Sequence, residues 1–284
     1  MVKIQYNKKT KEWITLPKYS RDGVYYDGYL LEKILNIIKI QKKGYDSIII
    51  IDGDRRSGKS TLAMTIGYRI CPDLSIKNFV SGLRDAVAKL ESLPDESVAI
   101  FDEGSLSFSS KDALNKEQKQ LLKIIDIIGQ KKLTIIIVLP SFFDLIRPIA
   151  IPHSRFLLHV YTDEQLNRGR FAYFGTDSKK YLYEIGKKRF GSYTKPEADF
   201  IGTFENFEPV YYRQYLNLKK KSLNEALSGE DVKFNPARKV QFIKECLRRV
   251  EKERKEHKRK PLGSLFGCTP HQIDAYRREI RAIP

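Results

Sequence analysis

The sequence predicts an α/β fold: a mostly parallel sheet covered by helices, with an appended β-hairpin and a basic helical C-terminal region. Three observations predict it. Apolar runs without alternation, Ile48–Ile51, Val98–Phe101, Thr134–Leu139 and Phe156–Val160, have the composition of strands buried on both faces. Longer helical patterns separate these runs, as a parallel sheet requires. A glycine-containing loop, Gly53–Thr61, joins the first run to a helix with the spelling G-x-x-x-x-G-K-S-T.

Taken in order, residues 1–27 mix polar and aromatic side chains and fit either a small hairpin or an extended cover over the core. Leu30, Leu31, Ile34, Leu35, Ile37 and Ile38 recur at helical spacing, so a helix should end before Gly44. After the strand Ile48–Ile51 and its loop, residues 60–70 continue as a helix closed by Cys71-Pro72. Lys77–Val80 reads as a short strand, residues 82–93 as a helix, and Val98–Phe101 as the strand that delivers Asp102-Glu103-Gly104. A further helix is expected over 112–129, then the strands Thr134–Leu139 and Phe156–Val160. Phe171–Phe174 and Tyr181–Ile185 flank Gly175-Thr-Asp-Ser and read as an antiparallel hairpin. The stretch 191–210 reads as irregular chain. The organisation expected is therefore an N-terminal cover and helix (1–45), a core with the hairpin (46–210) and a basic helical region (211–284).

The loop carries a specific chemistry. Small residues let successive backbone N–H groups turn toward phosphate oxygens at a helix N-terminus. Gly53, Asp54, Arg55, Arg56, Ser57, Gly58, Lys59, Ser60 and Thr61 are the expected nucleotide-binding residues. Lys59 is placed to reach the terminal phosphates and the Ser60 hydroxyl to ligate magnesium. Asp102, at a strand end, is the second metal ligand expected, and Glu103 the group that polarises an attacking water. Neighbouring residues at a strand end point in different directions, which divides the two roles. ATP and Mg²⁺ are the cofactors implied. A second carboxylate favours hydrolysis over transfer to a small acceptor.

Ser141, after the third strand, is either a sensor of the terminal phosphate or an N-cap for a helix expected over 142–147. Arg147 and Arg155 are the leading arginines for offsetting charge at that phosphate, ahead of Arg168 and Arg170. His159, within a buried strand pattern, reads as a hydrogen-bonded core histidine.

The formal charge of +17 points to a polyanion as partner. Residues 219–284 hold 18 lysines and arginines against nine aspartates and glutamates. Residues 237–258 fit an amphipathic helix, and Leu262–Ile280 fits either a helix-turn-helix or a plain helical tail. DNA, double-stranded, is the expected partner. No apolar run approaches the roughly 20 residues of a membrane span. Cys71, Cys246 and Cys268 are scattered and form no disulfide framework. A cytoplasmic location is expected, the host cytoplasm for a viral protein.

The segments GDRRSGKS, FDEG and KKLTIIIVLPSFFDLIRPIAIPHSRFLLHVY resemble the P-loop ATPases of viruses and mobile elements. They are similar to the FtsK/HerA translocases and to phage assembly proteins of the zonula-occludens-toxin type, over roughly residues 46–175. The resemblance implies Lys59 and Ser60 on nucleotide and metal, Asp102 supporting magnesium, Glu103 activating water, and a homo-oligomer, often a ring, on DNA. It departs from the translocases at Leu139-Pro140, where they often carry Thr-Gln, and from the toxin-type proteins in having no membrane span. The function expected is a magnesium-dependent ATPase that translocates, packages or remodels DNA. The alternative is a DNA-binding regulatory or partitioning protein switched by ATP.

Overall fold

The computed structural model of the chain describes residues 2–17, 20, 22–80, 86–102, 124, 128–189 and 191–228. Glu103, the Ser105–Ser110 segment, most of the helix expected over 112–129, the helix expected over 237–258 and the expected helix-turn-helix lie outside the described residues. By packing, the chain divides into two units, Met1–Ser222 and Leu223–Pro284.

The first strands settle the choice left open for the N-terminus. β1 (Val2–Asn7), β2 (Glu12–Leu16) and β3 (Val24–Tyr26) form an antiparallel sheet in the order β2-β1-β3. The β1–β2 turn is closed by Asn7, whose Oδ1 accepts from the Lys9 and Thr10 amides. α1 (Gly28–Lys42) begins at Asp27, whose carboxylate accepts from the amides of Tyr29 and Leu30 at 3.0 and 3.2 Å. Leu30, Ile34, Ile37 and Gln41 form its buried face. The Gln41 amide donates to Ser97 O and Lys132 O, at 3.2 and 2.9 Å, just ahead of two strands of the main sheet.

That sheet comprises β4 (Ser47–Gly53), β5 (Phe79–Val80), β6 (Val98–Phe101), β7 (Thr134–Val138), β8 (Ser154–Tyr161), β9 (Arg170–Phe174) and β10 (Phe200–Thr203). The order is β10-β9-β8-β4-β7-β6-β5. The five strands from β8 to β5 are parallel, and β9 and β10 extend the sheet antiparallel. All seven residues of β4 are buried. Alternate residues serve opposite faces. Ile48 and Ile50 join a core with Phe101, Phe142, Leu157 and Leu182, while Ile49 and Ile51 join one with Ile34, Leu62, Ile66 and Leu158. Each such isoleucine contributes about 1.5–3 kcal/mol of apolar transfer free energy. α2 (Lys59–Ile70) follows β4, and α3 (Ala86–Ser92) precedes β6.

Two expectations are corrected. Tyr181–Ile185 is not a strand. It belongs to α4 (Thr176–Lys188), whose buried Lys179, Leu182, Tyr183 and Gly186 follow helical spacing, while Tyr181 is exposed. The Gly175–Ser178 stretch is the start of this helix, where Asp199 Oδ2 accepts from the Gly175 amide at 2.7 Å and from Ser178 Oγ at 3.0 Å. β9 pairs instead with β8 and β10, so the antiparallel addition comes from those strands. The stretch 191–210 is also not wholly irregular, because it contains β10. The last described helix, α5 (Tyr212–Ser228), begins where that stretch ends.

Candidate functional site

The loop between β4 and α2 is shaped by two glycines. Gly53 has φ 131°, and a Cβ there would lie 1.9 Å from Val160 O on neighbouring β8. Gly58 has φ 106°, and its Cβ would meet the Phe204 ring at 2.9 Å. Both positions lie in the left-handed region that glycine adopts without penalty. Between them Ser57 Oγ donates to Asp54 O at 2.8 Å. Lys59 is buried and folds back across the loop, donating from Nζ to Gly53 O at 2.5 Å and Asp54 O at 2.7 Å. The N-cap Gly58 brings no side chain to the first turn of α2, whose leading N–H groups are the natural donors to an anion.

β7 lies between β4 and β6, so the end of β6 stands one strand away from the loop. Asp102 nevertheless reaches it, and Ser60 Oγ donates to Asp102 Oδ1 at 3.0 Å. Two cis oxygen ligands of an octahedral magnesium, each about 2.1 Å from the ion, stand about 3 Å apart. The hydroxyl–carboxylate pair therefore fits that ion in both chemistry and spacing. Asp102 Oδ2 accepts from Tyr215 Oη at 2.6 Å and pairs with Lys219 Nζ at 3.2 Å, both on α5. Burial raises the Tyr215 phenol above its ordinary range, and the adjacent Asp102 carboxylate raises it further. At Lys219 burial acts against the charge, but Asp102 and Tyr215 outweigh it and hold the ammonium above the usual lysine range. A cavity of about 230 Å³ is lined by Arg56, Gly58, Lys59, Ser60, Thr61, Arg168, Tyr215 and Lys219.

Sequence reading did not find the α5 contribution. Its only local signal is the i, i+4 spacing of Tyr215 and Lys219, which puts both on one helix face. Sequence reading also passed over Asp52, the residue before Gly53. This fully buried carboxylate accepts from the Phe142 amide at 2.8 Å and from the Tyr193 hydroxyl, and it bonds His159 Nδ1 at 3.0 Å. His159 in turn stacks on Tyr193 at 3.7 Å between ring centroids. The network ties the start of the loop to β8 and to the turn after β7. A polar group so deeply buried is tolerated because both its oxygens are hydrogen-bonded.

Ser141 caps that turn, its Oγ accepting from the Phe143 amide at 3.3 Å. Of the two readings open for it, the N-cap is the one with a contact here. Arg147 pairs with Glu184 at 2.9 Å, both side chains being largely exposed. Arg155 donates to Asp46 O at 3.4 Å, at the start of β8. Because Ser154 pairs with Ile48 and Val160 with Gly53, Arg155 stands at the opposite end of the sheet from the loop. Neither leading arginine lines the cavity; Arg168 does. Arg55 and Asp54 are exposed on the loop. Among the described residues there is no cluster of three or more His, Cys, Asp or Glu able to hold a metal ion by itself. No described helix is long and apolar enough to cross a membrane.

Fold and site together define a P-loop-like α/β architecture: a largely parallel sheet flanked by helices, a smaller antiparallel sheet, and a glycine-shaped loop between strand and helix. No family model matches the chain, and no curated protein does. Among solved structures it is similar to the N-terminal domain of zonular occludens toxin from Neisseria meningitidis, at 13% identity and TM-score 0.34, covering 59% of this chain and 97% of that one. It is similar also to a replication initiator DnaA bound to AMPPCP and single-stranded DNA, at 13% identity and TM-score 0.34, covering 93% and 81%. A third is a DNA polymerase III gamma subunit-related protein from Thermotoga maritima, at 13% identity and TM-score 0.34, covering 87% and 77%. A TM-score of that size does not establish a shared fold, so the architecture rests on this chain's own topology.

Proposed function

We propose that the chain is a magnesium-dependent ATPase that moves, packages or remodels DNA as an oligomer. The observation that carries the reading is the Ser60–Asp102 contact of 3.0 Å beside a loop of phosphate-binding spelling and glycine-dependent shape. On this reading the loop amides and Lys59 bind the phosphates, and Ser60 and Asp102 hold magnesium. Held there by Ser60 and Asp102, magnesium would supply positive charge to offset that of the phosphates. Lys59 releases one of its carbonyl contacts to take a phosphate oxygen. Glu103, next in the chain after Asp102, orients water. Ser141, Arg147 and Arg155 keep only the roles expected of them from sequence, with the two arginines left to act on a neighbouring subunit. The charge of +17 and the basic residues 219–284 support DNA as partner.

One observation favours the switch alternative enough to keep it. Tyr215 and Lys219, which hold Asp102, sit on a helix, Tyr212–Ser228, that is itself the first part of the basic region. Occupation of the site would then be reported to the DNA-binding end of the chain. ATP hydrolysis with and without double-stranded DNA separates the two. The motor reading expects DNA to accelerate Mg²⁺-dependent turnover severalfold, with Lys59→Ala inactive and Glu103→Gln still binding ATP. Slow turnover indifferent to DNA, with DNA affinity that changes between ATP and ADP, would favour the switch. Turnover unaffected by Lys59→Ala would remove both.

A further inference from the structure

We propose that Arg168 is a ligand of the nucleotide's phosphate chain, supplied in cis by the turn between β8 and β9; this rests on the ATPase reading above. β8 lies directly against β4, with Val160 opposite Gly53, so the chain leaving β8 emerges beside the phosphate loop. The turn that follows is braced. Asp163 Oδ1 accepts from the Asn167 amide at 2.8 Å and the Gln165 amide at 3.1 Å, while Oδ2 accepts from Asn167 Nδ2 at 3.1 Å. Gly169 closes the turn with φ 99°, and a Cβ there would lie 2.5 Å from Phe204 O. The Phe204 amide donates to Gly169 O at 2.8 Å, and the Phe204 ring is the group that packs over Gly58. One residue thus fixes the backbone beside Arg168 and packs at the phosphate loop, which sets the backbone of Arg168 beside the loop before any ligand arrives.

The charges point the same way. Of the two acidic groups of the turn, Asp163 is engaged by Asn167 and by Arg170 at 3.7 Å, and Glu164 is exposed with no ion pair to Arg168 among the described residues. Among the described residues no hydrogen bond or ion pair involves Arg168. It lines the cavity alongside Arg56, Lys59 and Lys219, and Asp102 is held by Tyr215 and Lys219. A guanidinium set among other cations without its own carboxylate is a poor arrangement for stability and a good one for a polyanion. Its planar fork suits phosphate oxygens in a way an ammonium does not. Arg147, by contrast, is already paired with Glu184.

The test is calorimetric binding of Mg·ATP to the full chain, with turnover measured in parallel. Loss of a charge-assisted phosphate contact should weaken ATP binding by about ten- to a hundredfold in Arg168→Ala, with Arg168→Lys intermediate. Turnover should fall about a hundredfold, and the thermal midpoint should stay near that of the unaltered chain because the side chain is exposed. Mixing Arg168→Ala with Lys59→Ala chains should recover no activity. Recovery would show that the arginine serves a neighbour and overturn the cis assignment. If Lys59→Ala loses ATP while Arg168→Ala binds within twofold of the unaltered chain, this inference fails alone. If the unaltered chain binds no ATP, the ATPase reading fails first.

Discussion

On the proposed reading Lys219 stands where it would oppose a divalent ion held by Asp102, and its removal should give a measurable shift. Its ammonium lies 3.2 Å from Asp102 Oδ2. The gross attraction at that distance is about 5 kcal/mol for an effective dielectric near 20. The Lys219 side chain is 48% exposed, so solvent screening reduces the net value to that of a surface pair. About 1 kcal/mol is the upper end for such a pair. A metal ion held at Asp102 would meet this positive charge on the same carboxylate, so Lys219→Met should tighten metal binding by about fivefold, the equivalent of 1 kcal/mol. Mn²⁺ titrated without nucleotide and followed by the electron paramagnetic resonance of the free ion reads this directly. Lys220→Met, one residue along on the exposed surface of α5, should leave the midpoint unchanged. The difference between unaltered chain and Lys219→Met should shrink as salt is raised. A midpoint that stays put, or moves to higher Mn²⁺, would refute the idea that the ammonium and the metal compete for one carboxylate.

Two further outcomes follow from the same geometry. Gly58→Ala forces a left-handed residue, costing about 1–2 kcal/mol, and drives a Cβ to 2.9 Å from the Phe204 ring; calorimetry should find ATP binding lost and the thermal midpoint lowered, and unchanged ATP affinity would contradict the loop's assignment. Lys179 is buried on α4, its Nζ donating to Ile151 O at 3.1 Å, to Ser154 Oγ at 2.5 Å and to Ser154 O, and burial together with nearby Arg155 lowers its pKa to about 7. An unfolded lysine keeps its proton to about pH 10.4, so between about 7 and that value the unfolded chain binds more protons and stability rises with pH. The slope from this group is at most about 1.4 kcal/mol per pH unit. Urea unfolding at pH 7, 8 and 9 should show a rise that Lys179→Met removes; equal slopes in both chains would contradict it.

The sheet was legible because strands buried on both faces announce themselves as unbroken apolar runs. Val98–Phe101 is a strand over the expected residues, and Thr134–Leu139 differs from β7 only at its last residue. The loop was legible because glycine spacing is a local property of the chain. α4 was misread because Tyr-Leu-Tyr-Glu-Ile imitates alternation over five residues, too short a span to separate period 2 from period 3.6. The hold of Tyr215 and Lys219 on Asp102, and that of Phe142, His159 and Tyr193 on Asp52, join residues far apart in sequence. No local pattern records such pairings, since they exist only once the sheet order is known. Arg168 was named among several arginines, but sequence alone could not choose it over Arg147 and Arg155, because only the register of β8 on β4 shows which end of the strand faces the loop.

Calorimetric titration of ATP with and without Mg²⁺, on the unaltered chain and on Asp102→Asn, tests most directly whether the Ser60–Asp102 pair and the phosphate loop form one site. The site described here should bind ATP tightly only with Mg²⁺ present, and Asp102→Asn should erase that dependence. ATP binding of equal strength with and without the ion, unchanged by Asp102→Asn, would contradict it.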